Sequence, residues 1–264
     1  MPPTTRRLGH VEHVMGTVVS FDISADDSAD VNADQRPIRI AIARAVSWLH
    51  RVDAVFSTYR DDSQISRLSS GEISLAACDP DVAEVLDLCA QVGRETNGYF
   101  SSTYGGRLDP TGLVKGWSIQ RASELLAAAG VARHCINGGG DVQAVGQPEP
   151  GRPWNVAVSH PLHPGGFAAV VPIEDGAVAT SCTAERGAHV LDPFTGRPAT
   201  TLASLTVVGR DLTRADAYAT AGLAMGHAAR GWLESLDGYE GFAVAADGTG
   251  WATSRFPATA TVSA

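Results

Sequence analysis

Residues 113–145 read LVKGWSIQRASELLAAAGVARHCINGGGDVQAV. Leu113 to Ala129 predicts a helix, and Gly130 ends it as a left-handed C-terminal residue. Cys135-Ile136 then leads a short strand into Asn137-Gly138-Gly139-Gly140-Asp141, and Val142 to Val145 resumes it. The ordinary reading of the glycine run is a turn or bulge joining two strands. Consecutive glycines also let backbone N–H groups approach an anion. The run is neither GxGxxG nor a Walker loop, since no Gly-Lys-Ser/Thr follows.

Working outward, Val11 to Ile23 reads as a strand or hairpin around Met15-Gly16-Thr17. Ile38 to Phe56 has apolar residues at helical spacing. Ser63 looks like a helix start, and Asp79-Pro80-Asp81 caps a helix running to about Gly93. Thr96 to Thr111 is a long loop or edge region. Trp154–Ser159, Ala168–Ile173 and Ala177–Ser181 read as successive strands, with Asp175-Gly176 as a hairpin signal between the last two. Leu202–Val208 is another strand. Ala215–Met225 is a helix ended by Gly226, and His227–Leu236 is a further helix. Phe242–Ala246 and Gly250–Ser254 form a hairpin through Asp247-Gly248. Hairpins mixed with helices predict an α+β fold rather than a regular βαβ alternation. The 264 residues read as a single compact unit, or one with two lobes.

The chain is 44% hydrophobic and 19% charged, with net charge -9. That is a globular composition, and its sign opposes broad nucleic-acid binding. The N-terminal residues carry no apolar signal core, and no run approaches the ~18–20 apolar residues of a membrane span. Cys78, Cys89, Cys135 and Cys182 have no CxxC spacing, so they read as reduced, mostly buried small hydrophobes. The expectation is a cytoplasmic protein with no membrane anchor and no nucleic-acid partner.

Of 20 basic residues, 19 are Arg and Lys115 is the single Lys. Lysine is a compact point charge on a flexible stem, suited to phosphate. Asp216 and Thr220 are i and i+4, so they share a helix face lined by small residues. A carboxylate and a hydroxyl there suit Mg²⁺, which takes oxygen ligands and keeps waters. Their ordinary reading is an N-terminal helix Asp and a Thr bonded to its own backbone. His189, ahead of the Asp192-Pro193-Phe194-Thr195-Gly196 turn, is a candidate general base. It is one of 8 histidines, so alone it reads as structural.

In order, several segments resemble the ApbE family of FAD:protein FMN transferases. They are Met15-Gly16-Thr17, Phe56 to Arg60 with Ser63 to Leu68, Asp109 to Gly116, and Ile136 to Asp141. Ala179 to Ser181, His189 to Pro198, and Ala215 to Ala221 with Met225-Gly226 complete the set. The resemblance implies an ApbE-like domain over 1–264, with core motifs in 11–245. It implies Mg²⁺-dependent transfer of the FMN part of FAD to a threonine hydroxyl of an acceptor protein, with release of AMP. Asp216, Thr220 and the backbone at Gly112 would hold the metal. Met15, Tyr59, Tyr99, Phe100, Ser101, Asp109, Lys115 and Leu191 would line the FAD. His189 and Asp216 would serve catalysis. The chain departs from many relatives at Ser101-Ser102-Thr103, and few residues separate that point from Asp109. A metal-dependent FAD pyrophosphatase giving FMN and AMP, and a non-catalytic FAD carrier, are the alternatives.

Overall fold

The computed structural model describes residues 5–26, 35–183, 190–258 and 260–261. Strands β1 (Thr5–Val14) and β2 (Thr17–Asp26) form the first hairpin. Its two-residue turn has Met15 at φ 54° and Gly16 at φ 67°, the left-handed pair that matches the twist of the flanking strands. Helices α1 (Arg36–Phe56), α2 (Gln64–Ser69) and α3 (Pro80–Glu95) follow. Ser63 caps α2 by accepting from Ser66 N, and Asp79 caps α3 by accepting from Asp81 N. The expected loop before Thr111 contains a small hairpin, β3 (Thr103–Tyr104) and β4 (Arg107–Leu108).

Helix α4 (Thr111–Ala128) leads into β5 (His134–Gly138) and β6 (Asp141–Val145). The glycine run is the turn between them, with Gly139 and Gly140 at φ 61° and 96°. Then come β7 (Trp154–Ser159), β8 (Phe167–Ile173), β9 (Gly176–Cys182) and β10 (Leu202–Gly209). Helices α5 (Leu212–Met225) and α6 (Ala229–Glu234) precede β11 (Glu240–Ala245), β12 (Gly250–Ala252) and β13 (Ala260–Thr261).

The main sheet has the order β1-β2-β5-β6-β9-β10-β11-β12, and every neighbouring pair is antiparallel. Side chains alternate across it. Val19, Phe21, Ile23, Ile136, Ala177, Ala179, Leu205 and Ala243 face the core shared with α1, α4 and α5. Val178, Phe242 and Val244 face a second core under the small sheet β13-β8-β7. The α+β expectation holds, as one sheet covered by helices on one face and by strands on the other.

The expected hairpin at Asp175-Gly176 is not formed. Strand β8 pairs with β7 and β13, whereas β9 pairs with β6 and β10. Asp175 Oδ1 instead accepts from Gly146 N at 2.8 Å, tying the crossing segment to the end of β6. Both faces of β9 are buried, so it belongs inside the main sheet. The four cysteines are free, but only Cys89 is fully buried; Cys78, Cys135 and Cys182 are half-buried. Burial pushes the Cys89 and Cys135 thiols up to about 12.

His134 is fully buried, with Nδ1 against the Val131 carbonyl at 2.9 Å and Nε2 against Ser123 Oγ at 2.7 Å. Burial lowers its affinity for a proton below the ordinary value, outweighing those two hydrogen bonds. The unfolded chain therefore binds that proton more readily than the folded one. Its stability contribution is complete above the unfolded pKa of ~6.5 and is lost as pH falls below it. Between about pH 7.5 and about pH 5.5, the Tm of the parent should fall more steeply than that of His134→Gln. Parallel Tm profiles would contradict this reading.

Candidate active site at the crossing of two helices

Helices α4 and α5 meet at Gly116. A Cβ there would lie 2.4 Å from the Leu212 carbonyl oxygen and 2.8 Å from Asp216 Cβ, so only glycine allows this approach. It places the Asp216 carboxylate, 4% exposed, directly on α4. Asp216 Oδ2 accepts from Gly116 N at 2.9 Å. Helix geometry assigns that N–H to the Gly112 carbonyl, so Asp216 intrudes on the first turns of α4 at the expected metal-binding backbone. The N-cap role belongs to Asp211, which accepts from Arg214 N. Asp216 therefore sits inside α5 for another reason.

Thr220 lies one turn further along α5. Its Oγ1 is 3.2 Å from Ser181 Oγ on β9, and a Cβ at Gly112 would be 3.7 Å from the same Oγ1. Asp216, Thr220 and Gly112 thus converge as expected, and Ser181 joins them. Among the described residues no three His, Cys, Asp or Glu side chains gather as a metal site. The donors here are instead a carboxylate, hydroxyls and backbone. That set of hard oxygens fits Mg²⁺, which accepts few protein ligands and keeps waters or phosphate oxygens.

Lys115 forms an ion pair with Asp141, the first residue of β6, and its Nζ is 3.9 Å from Asp216 Oδ1. Asp141 is fully buried, and its Oδ1 accepts from Thr180 N on β9 at 3.0 Å. Two carboxylates thus flank one ammonium. Sequence reasoning took the glycine run as a turn and passed over its last residue. The signal was strand parity: Asp141 and Gln143 share a face of β6, and Gln143 Oε1 accepts from Leu212 N of α5.

The remaining expected residues spread around this point. Met15 Sδ is 3.6 Å from Ser118 Oγ, which lies 2.8 Å from the Lys115 carbonyl. A non-glycine residue at positive φ is uncommon, and here it sits beside the cluster. Asp109 Oδ1 accepts from Thr111 N and Oγ1, ordering the entry to α4. Phe100 is buried beneath Gly112, so it supports the site from the core side. Tyr99 is half-buried and packs edge-on against Phe194 with ring centroids 4.9 Å apart. Ser101 hydrogen-bonds within its own turn to Thr103. Leu191 is half-buried and bridges to Pro198. Tyr59 is 94% exposed on the turn after α1 and is not gathered into the cluster. His189 lies outside the described residues. A cavity of about 680 Å³, bordered by Arg7, Asp22, Asn137 and Trp154, opens on the other face of the main sheet and includes none of the expected residues.

The sequence pattern of the ApbE family matches residues 15–107 and 104–243. The chain belongs to the ApbE family. It is 27% identical over 160 residues to the FAD:protein FMN transferase of Salmonella typhimurium, a match covering 57% of this chain and 46% of that protein. The match thus spans less than half of that relative's length. Its fold is that of the Thermotoga maritima ApbE protein, with TM-score 0.80 and 20% identity over 94% of this chain and 97% of that one. The Vibrio cholerae flavin transferase ApbE superposes with TM-score 0.78 and 20% identity, covering 97% and 99% of the two chains.

Replacing Gly116 with Ala should separate the helices and displace Asp216. The expected loss is about 1–3 kcal/mol from overpacking, read from urea unfolding. An unchanged midpoint would show that the α4–α5 contact tolerates a methyl group.

Proposed function

We propose that this chain transfers the FMN part of FAD to a threonine hydroxyl of an acceptor protein and releases AMP, with Mg²⁺ at Asp216, Thr220 and the Gly112 backbone. The observation that carries the reading is the convergence of Asp216, Thr220, Gly112 and Lys115 at one helix crossing. Family membership supports it.

In the transfer, the acceptor oxygen forms a bond to the phosphorus on the FMN side of the pyrophosphate. The bond from that phosphorus to the bridging oxygen breaks, and AMP leaves with that oxygen. The hydroxyl proton passes to a base, for which His189 is the candidate. Bound Mg²⁺ would supply Lewis acidity at the phosphoryl oxygens. Asp216 is held for that ion by the Gly116 N–H rather than by solvent, which limits the reorganisation needed on binding. Lys115 adds positive charge beside the pyrophosphate, while Met15, Tyr59, Tyr99, Ser101, Asp109 and Leu191 line the nucleotide and Phe100 backs them from the core. Asp109 also fixes the first turn of α4, from which Gly112 and Lys115 project.

Among the described residues no helix is long and apolar enough to cross a membrane. A reducing, cytoplasmic setting belongs to the same proposal, supported by four free thiols of a kind that persist where disulfides are rare.

The test is incubation with FAD, Mg²⁺ and an acceptor carrying a Ser/Thr-Gly-Ala-Thr segment, followed by in-gel flavin fluorescence and AMP quantification. The parent should yield covalent flavin matched by AMP. Asp216→Ala should lower the rate about a hundredfold or more, the scale of losing a preorganised electrostatic partner. Free FMN without labelled acceptor would instead indicate a pyrophosphatase, and intact FAD a carrier. Lys115→Arg should weaken FAD binding or turnover, because a planar fork does not replace a point charge in a packed site. Parent-like FAD titrations and rates for that variant would remove Lys115 from the FAD site.

A further inference from the structure

Lys115 stands between two carboxylates, and only one of them is expected to hold a cation. Asp141 is fully buried at the start of β6. Its Oδ1 is fixed by Thr180 N, which aims the other oxygen at the ammonium. Asp216 Oδ1 lies 3.9 Å from the same ammonium, within reach of a small swing of a flexible side chain. An ammonium on Asp216 would compete with a divalent cation for the same oxygens.

We propose that Asp141 is a positioning residue that draws the Lys115 ammonium closer to itself than to Asp216, weakening its pairing with the carboxylate that would take a divalent cation. The role rests on the metal site proposed above. Asp141 acts through Lys115 and does not itself contact the ion. It also explains why a buried carboxylate sits at the end of a glycine turn, where a neutral residue could close the hairpin as well.

Calorimetric titration with Mn²⁺, in the absence of FAD, tests this through a double-mutant cycle. Asp141→Asn keeps an oxygen for Thr180 N, so the β6–β9 tie survives. With Lys115 present, Asp141→Asn should weaken Mn²⁺ binding about tenfold; in the Lys115→Met background it should change binding less than about twofold, the signature of coupled neighbours. Lys115→Met alone should tighten binding about threefold, because a like charge leaves the site. Equal losses in both backgrounds, or no loss in either, would overturn the proposal. Weakened binding in Lys115→Met alone would overturn it too, and that variant serves even if Asp141→Asn fails to fold. If the parent itself takes up no Mn²⁺, the metal site is rejected and this role with it; parent binding with an additive cycle rejects only the role of Asp141.

Discussion

The contact on which the site depends is the one between the backbone of α4 at Gly116 and the Asp216 side chain of α5. At ordinary helix spacing, side chains separate the two axes. Here a missing Cβ lets a carboxylate reach a backbone N–H of the facing helix. A buried carboxylate is costly unless hydrogen-bonded or paired. The Gly116 N–H meets part of that requirement, and the Lys115 ammonium, closer to Asp141, lies 3.9 Å from the same carboxylate. The same approach brings Thr220 against Gly112 and Ser181, so one packing feature sets three elements of the candidate metal site.

The sheet provides the other half of the geometry. The turns at Met15-Gly16 and Gly139-Gly140 lie side by side, joined by Gly139 N donating to the Val18 carbonyl at 3.1 Å. A Cβ at Gly139 would fall 2.7 Å from Thr17 Oγ1, and one at Gly138 would fall 2.4 Å from Ile119 of α4. The glycine run is thus a packing device that brings β2, β5 and α4 together. Asp141 follows it with inward parity and meets Lys115. Anion binding by the run is not needed to account for its composition.

Much of this was legible in the chain. Periodicity gave α1, Gly130 and Gly226 marked the ends of α4 and α5, cap residues marked the starts of α2 and α3, and i/i+4 spacing placed Asp216 and Thr220 on one face. The Asp175-Gly176 signal misled because turn chemistry is local, whereas pairing of β9 is decided by burial on both of its faces. Asp141 escaped because its importance lies in a partner 26 positions earlier in sequence, and the only local mark is its shared strand face with Gln143. Gly116 escaped because a glycine within a helix reads as a mild cost, not as a point of contact between helices. Tyr59 is exposed on the turn after α1, apart from the helix crossing.

If the α4–α5 crossing forms a divalent-cation site from Asp216, Thr220 and the Gly112 backbone, crystals soaked in Mn²⁺ and FAD should show an anomalous diffraction peak within coordination distance of an Asp216 oxygen and Thr220 Oγ1, beside the Lys115–Asp141 pair. A peak elsewhere, or FAD bound with no ion at Asp216, would rule that site out.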